Sequence, residues 1–229
     1  MKIDFVESVD STNSHIWTIS RLEKEPIAVI ARSQSKGRGT KGRKWISESG
    51  NFYGSFLQSF EVDQVKLDQV SMLVGIRVAR ILESLCLNNI KILWPNDLVI
   101  DLGNHYLKVG GILCESKIKG NWIDLVMGIG VNFYHAPAVT EKPSGKIPGN
   151  LQEFTSGLIE AFRNPIFDED IKNYQDFDFL HGKGILLRNG KLGIGKGISF
   201  NGPSYEVEDR DGIIHEIMDP DRPKLIGIN

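Results

Sequence analysis

The chain has 229 residues, a formal net charge of −2, 41% hydrophobic residues and 24% charged ones. That balance suits one good core with a small appended domain. Its slight acidity argues against a protein whose main partner is nucleic acid, because phosphate binding draws on a surplus of Lys and Arg. A local basic site stays open.

The amino terminus, Met1 to Phe5, lacks the basic region and apolar run of a signal peptide. No window reaches the ~18 apolar residues of a membrane span, so no membrane association is expected. Cys86 and Cys114 form no CxxC pair and have no His-x-x-x-His nearby, which argues against zinc. Both read as small buried hydrophobes, and the expected location is a reducing cytoplasm.

In chain order, Asp10-Ser11-Thr12-Asn13 reads as a helix start with a capping oxygen, and Ile16, Trp17 and Leu22 supply an apolar face. Pro26 to Ala31 is a short apolar run suited to a buried strand. A long polar loop follows, from Arg32 to about Gly50, and then a strand from Phe52 to Leu57. The clearest helix spans about Leu67 to Leu87, where Leu67, Val70, Val74, Ile81, Leu82 and Leu85 recur near the helical period.

Three apolar runs come next, Lys91–Trp94, Val109–Cys114 and Ile123–Val131, each a predicted strand. Asp101-Leu102-Gly103-Asn104 makes a turn between the first two. Leu151, Phe154, Leu158, Ile159 and Phe162 mark a second amphipathic helix that ends at Asn164-Pro165. From Gly182 the chain turns to short strands with Asn189-Gly190 and Asp211-Gly212 turns, the pattern of a small β-barrel. The domains are therefore expected at 1–181 and 182–229.

The most informative segment is basic and rich in glycine. From Arg32 to Lys44 there are six cations and no acid, with Gly37, Gly39 and Gly42 among them. Glycines allow close backbone approach to a ligand, and cations with free amides bind anions. The Gly-Lys-Ser/Thr ending of a P-loop is absent. The plain alternative is a solvated basic loop, or one that touches RNA; Trp45 adds a surface for stacking on a planar base.

At this point a resemblance becomes specific. Gly37 to Trp45 resembles the ligand loop GRGRxGRxW of biotin–protein ligases. Ser11-Thr12-Asn13 matches the family's STN, and Gln34 stands at its glutamine before the loop. Trp94-Pro95-Asn96-Asp97 matches WPND, Lys108 to Glu115 is similar to KxGGILxE, and Gly128 to Asn132 to GIGxN. The motifs follow in the family's order. Two departures stand out: Thr40 replaces the loop's second arginine, and Leu93 replaces the lysine before WPND, with Lys41 or Lys91 as candidate substitutes.

The resemblance implies an α+β catalytic domain, a mixed sheet flanked by helices, with a small carboxy-terminal SH3-like barrel. It implies that biotin and ATP, with Mg²⁺, form biotinyl-5′-AMP, and that biotin then passes to a lysine of a biotin carboxyl carrier protein or domain. Arg38 and Lys108 are the expected catalytic cations, because they offset the repulsion between carboxylate and phosphate. Biotin is expected at Ser11, Thr12, Asn13, Gln34, Arg38, Gly39, Thr40, Lys108, Gly110 and Gly111. ATP or the adenylate is expected at Arg38, Arg43, Trp45, Asn96, Asp97, Lys108 and Asn132, with Asp97 reaching Mg²⁺ or an ordering water.

From composition alone, Ser11 to Asn13 serve equally as a cap, Lys108 as a solvated strand-end lysine, and Asn96-Asp97 as an ordinary turn. Rival functions are a lipoate–protein ligase or transferase, a non-catalytic sensor of biotin or adenylate, and an RNA-binding module. Some relatives carry an amino-terminal DNA-binding domain. Here the catalytic pattern starts within the first dozen residues, so no sequence-specific DNA binding is expected. A homodimer is compatible with the sequence.

Overall fold

A computed structural model describes the chain except residues 21–26, 65, 86, 88, 139–142, 167, 200–201, 203, 219–223 and 226–229. Cys86, Leu22 and Pro26 thus lie outside the described residues. The chain runs β1 (Lys2–Val9), α1 (Thr12–Ile19), β2 (Ile27–Gln34), β3 (Phe52–Glu61), α2 (Val70–Ser84), β4 (Ile90–Leu93) and β5 (Asp97–Asp101). It continues through β6 (Tyr106–Lys119), β7 (Trp122–Val131), α3 (Leu151–Ala161), α4 (Tyr174–Phe177), β8 (Gly184–Leu186), β9 (Leu192–Ile198), β10 (Ser204–Asp209), β11 (Ile214–Met218) and β12 (Lys224–Leu225).

Seven strands form a mixed sheet in the order β1-β2-β3-β7-β6-β5-β4. Only β1 and β2 pair in parallel; the other neighbours are antiparallel. Strand alternation sends successive residues to opposite faces. Ile27 and Val29 of β2 join Ile16 of α1, Leu57 and Val126 on one face. Ala28 and Ile30 face the larger core on the other, with α2 and the buried Phe154, Leu158 and Phe162 of α3 and its end. The predicted mixed sheet flanked by helices is thus observed.

The expected helix at Leu67–Leu87 is shorter at both ends. Leu67 precedes it and is 39% exposed, so it does not join the core. Two strands were not foreseen: β1, and β5, which begins at Asp97 inside the motif read as a turn. The Asp101–Asn104 turn therefore joins β5 to β6.

The last five strands form a second antiparallel sheet, β11-β10-β9-β8-β12. Among the described residues no pairing joins β11 to β12, so the unit is an antiparallel sheet and barrel closure is not observed. Its inner side chains, including Ile185, Tyr205 and Val207, continue the main core. Tyr205 Oη donates to Asp178 Oδ2 at 2.7 Å, and its ring lies 6.0 Å from that of Trp94. No helix among the described residues is long and apolar enough to cross a membrane.

Candidate active site

The segment expected to be a polar loop is a tight hairpin. Gly39 N donates to Arg43 O at 2.7 Å and Trp45 N to Gly37 O at 2.8 Å. Its tip places Lys41 at φ 59° and Gly42 at φ 72°, the paired left-handed conformation of tight hairpin turns. A Cβ on Gly37 would collide with the Trp45 carbonyl, so the two arms approach this closely only with glycine there.

The hairpin closes over a cavity of about 300 Å³, between the start of α1 and the glycine-rich stretches of β6 and β7. Ser11, Thr12, Asn13, Gln34, Arg38, Gly39, Thr40, Arg43, Trp45, Asn96, Asp97, Lys108, Gly111 and Asn132 all line it. Of the expected set only Gly110 does not. Its missing side chain would point at Leu98 and the Gly130 carbonyl, because neighbours on a strand face opposite ways.

Part of the cavity wall is neutral and polar. Thr12 N and Oγ1 both lie in hydrogen-bonding reach of Gln34 Oε1, at 2.8 and 3.2 Å, and Gln34 Nε2 donates to Ser47 Oγ at 2.8 Å. Ser55, fully buried on β3, sits 2.7 Å from Thr12 Oγ1 and 2.6 Å from Asn13 Oδ1. Its single proton goes to Asn13 Oδ1, which cannot donate, leaving the Thr12 hydroxyl to give its own single proton to either Ser55 Oγ or Gln34 Oε1. Ser11 occupies the position before α1 without a side-chain capping bond, so the expected cap is not formed.

Cations line the same cavity. Lys108 Nζ lies 2.7 Å from Asp97 Oδ1, with the Asp97 side chain 2% exposed. The same ammonium stands 5.2 Å from the centre of the Trp45 ring. Trp45 lies against backbone: a Cβ on Gly130 would be 2.7 Å from its Nε1, and one on Gly111 3.2 Å from its ring edge. Arg38 Nη2 lies 2.9 Å from Glu115 Oε2. Arg43 folds back onto Thr40, donating to its carbonyl at 3.2 Å and its hydroxyl at 2.8 Å.

Asn96 and Asn132 serve the architecture as well as the wall. Asn96 Nδ2 donates to Ile112 O at 2.8 Å, locking its turn to β6. Asn132 Nδ2 donates to Gly145 O at 3.0 Å, while its buried Oδ1 has no protein partner. Neither substitute for the departed cations reaches the cavity. Lys91 Nζ donates to Asp176 O at 2.6 Å, Leu93 is buried, and Lys41 is exposed at the hairpin tip.

A protein-held metal does not fit these residues. Asp97 and Glu115 are both committed to cations, and among the described residues no cluster of three His, Cys, Asp or Glu side chains occurs. Burial pushes the Cys114 thiol up to about 12, away from the thiolate form. Glu115 stood inside a quoted motif without a role, and Ser55 had no motif at all. Lys44, Ile46, Gly128, Gly130, Pro137 and Ser144 line the cavity unforeseen; of these only the two glycines and Lys44 lay in recognised motifs.

The model of the biotin/lipoate A/B protein ligase family matches residues 5–132, more than half of the chain. The biotin–[acetyl-CoA-carboxylase] ligase of Paracoccus denitrificans is 32% identical over 155 residues, covering 66% of this chain and 63% of that protein. The bifunctional ligase/repressor BirA of Bacillus subtilis is 27% identical over 213 residues, 84% of this chain and 62% of its own length. The chain thus spans a little under two thirds of these relatives. Among solved structures, the biotin protein ligase of Aquifex aeolicus in complex with biotin and ATP superposes with a TM-score of 0.71, at 23% identity and 98% coverage of both chains. The fold is therefore shared with that enzyme.

Proposed function

Because the chain belongs to the biotin/lipoate A/B protein ligase family, we propose that it is a biotin–protein ligase, with residues 1–181 as catalytic domain and 182–229 as an accessory domain. The supporting observation is the polarity of one cavity, neutral and hydrogen-bonding at Ser11, Thr12 and Gln34, cationic at Arg38 and Lys108. Biotin carries a neutral ureido ring at one end and a carboxylate at the other. A lipoyl dithiolane makes no comparable use of a hydrogen-bonding end, which favours biotin over lipoate.

In the reaction, a biotin carboxylate oxygen attacks the α-phosphorus of ATP and pyrophosphate leaves. Arg38 and Lys108 reduce the repulsion between the two anions and stabilise the charge gathering on phosphorus. Asp97 holds the Lys108 ammonium in place, so its orientation costs little at the moment of reaction. Mg²⁺ enters as part of the nucleotide substrate. The acceptor lysine amine then attacks the acyl carbonyl, AMP leaves, and the amine loses a proton. Trp45 and Asn132 border the space for the adenosine, with Asn132 Oδ1 facing a donor such as an exocyclic amine.

The test is transfer of labelled biotin to a biotin carboxyl carrier domain, omitting ATP, Mg²⁺ or acceptor in turn, with lipoate as competing acid. Transfer that needs every component supports the ligase. Exchange of pyrophosphate into ATP driven by lipoate and not by biotin would overturn it.

A further inference from the structure

The ion pair between Glu115 and Arg38 is joined to a chain that begins in the core. Ser55 Oγ is 2.6 Å from Asn13 Oδ1, which fixes the direction of the Asn13 amide. Asn13 Nδ2 then donates to Leu113 O at 3.2 Å and Glu115 Oε2 at 2.9 Å, so both its hydrogens are used inside the protein. A Cβ on Gly128 would collide with Asn13 Oδ1, so the glycine there makes room for this side chain. Glu115 Oε2 is therefore placed before it meets Arg38 Nη2, at 2.9 Å.

We infer that Glu115, held by Asn13, is a positioning residue that fixes Arg38 in the cavity wall. The inference rests on the ligase reading for its substrate, and on geometry alone for the coupling. Side-chain exposures of 43% for Arg38 and 28% for Glu115 make the pair a minor source of stability. Its effect is directional. One guanidinium nitrogen is tied, and the remaining donors are left for the carboxylate or phosphate of the substrate. A long arginine held at one point loses less freedom on binding than a free one. Asn13, expected to touch biotin, thus acts through Glu115 and Arg38.

Both bonds to Glu115 end on the same oxygen, Oε2. A glutamine oxygen can accept both, so Glu115→Gln keeps the placement and removes the charge, whereas Glu115→Ala removes both. The experiment measures binding of biotin and of biotinol, its neutral alcohol, and biotin-driven ATP–pyrophosphate exchange, in Glu115→Ala, Glu115→Gln, Arg38→Ala and Arg38→Ala with Glu115→Ala. Glu115→Ala is expected to weaken biotin about tenfold, leave biotinol unchanged, and add nothing once Arg38 is alanine. Glu115→Gln should recover most of the loss.

Equal losses for biotin and biotinol, or an undiminished effect without Arg38, would overturn the positioning role. Wild-type protein that neither binds biotin nor exchanges pyrophosphate would sink the ligase reading instead. In that case the coupling is read from nuclear relaxation of the Arg38 Nε–H group, expected to be ordered in wild type and Glu115→Gln and mobile in Glu115→Ala. Equal mobility in all three overturns it.

Discussion

Lys108 and Asp97 come from two adjacent antiparallel strands, and their side chains meet at 2.7 Å on the cavity wall. Asp97 opens β5, opposite Gly111 of β6, and its carboxylate is almost wholly enclosed. An enclosed carboxylate is stable only when paired, and the paired lysine is held in return. The WPND and KxGGILxE segments thus act as one unit. Asp97→Asn should leave a folded protein with its lysine loosened. Adenylate formation is expected to fall by about tenfold to a hundredfold, and stability by about 1–3 kcal/mol. Pyrophosphate exchange and denaturant unfolding measure the two effects; unchanged exchange would show that the pair is only structural.

Thr40, a departure from the expected loop pattern, has a task of its own: its carbonyl and hydroxyl accept from Arg43. Thr40→Arg adds a cation beside the cavity and is expected to slow release of biotinyl-5′-AMP by about tenfold, the scale of one charged hydrogen bond. Thr40→Val removes only the hydroxyl and should leave the release rate within about threefold. Release of labelled adenylate from the purified protein distinguishes them. Slower release in both variants would assign the effect to the Arg43 contact and not to charge.

The residues that surround the cavity were legible because their motifs are short and in order; their partners were not. Thr12, Gln34, Arg38 and Lys108 announce chemistry by type, whereas Glu115 and Ser55 matter through partners distant in sequence, Asn13 at 102 and 42 positions and, for Glu115, Arg38 at 77. The hairpin was hidden by Lys41, since a non-glycine residue at positive φ is uncommon and leaves no mark in composition. Strand β1 was hidden by its edge position, where Phe5 is 65% exposed and the apolar alternation is blurred. The helices α2 and α3 were readable because long apolar periodicity is cooperative over several turns. Leu67 failed at the boundary, where periodicity says least.

Gly130 and Trp45 are in contact without room for a methyl group. Gly130→Ala puts a carbon 2.7 Å from Trp45 Nε1, so the indole has to move off the floor of the cavity. The cost is expected at about 1–3 kcal/mol of stability, with weaker binding of ATP. Gly111→Ala, at 3.2 Å from the ring edge, should do less. Tryptophan fluorescence and nucleotide titration check both; equal effects of the two substitutions would show that Trp45 does not rest on Gly130.

Asp178 joins the two sheets, accepting from Tyr205 Oη at 2.7 Å and from Leu180 N at 2.9 Å. Burial raises its carboxyl above the usual range, and the hydrogen bonds from Tyr205 and Leu180 offset that only in part. A carboxyl raised in the folded state holds its proton longer there than in the unfolded chain. Between its ordinary value and its raised one, the folded state therefore binds more protons, and stability falls as pH rises. Asp209 runs the other way: its pairing with Lys191 and His215 lowers its carboxyl, so its contribution is lost only in stronger acid. Asp178→Asn keeps a polar group opposite Tyr205 and cannot ionise. It should flatten the fall in stability just above the ordinary carboxylate range and leave the strongly acidic limb in place. Denaturant unfolding of both proteins across that range tests this; an unaltered profile would mean that Asp178 remains ionised between the sheets, with Tyr205 as its sufficient donor.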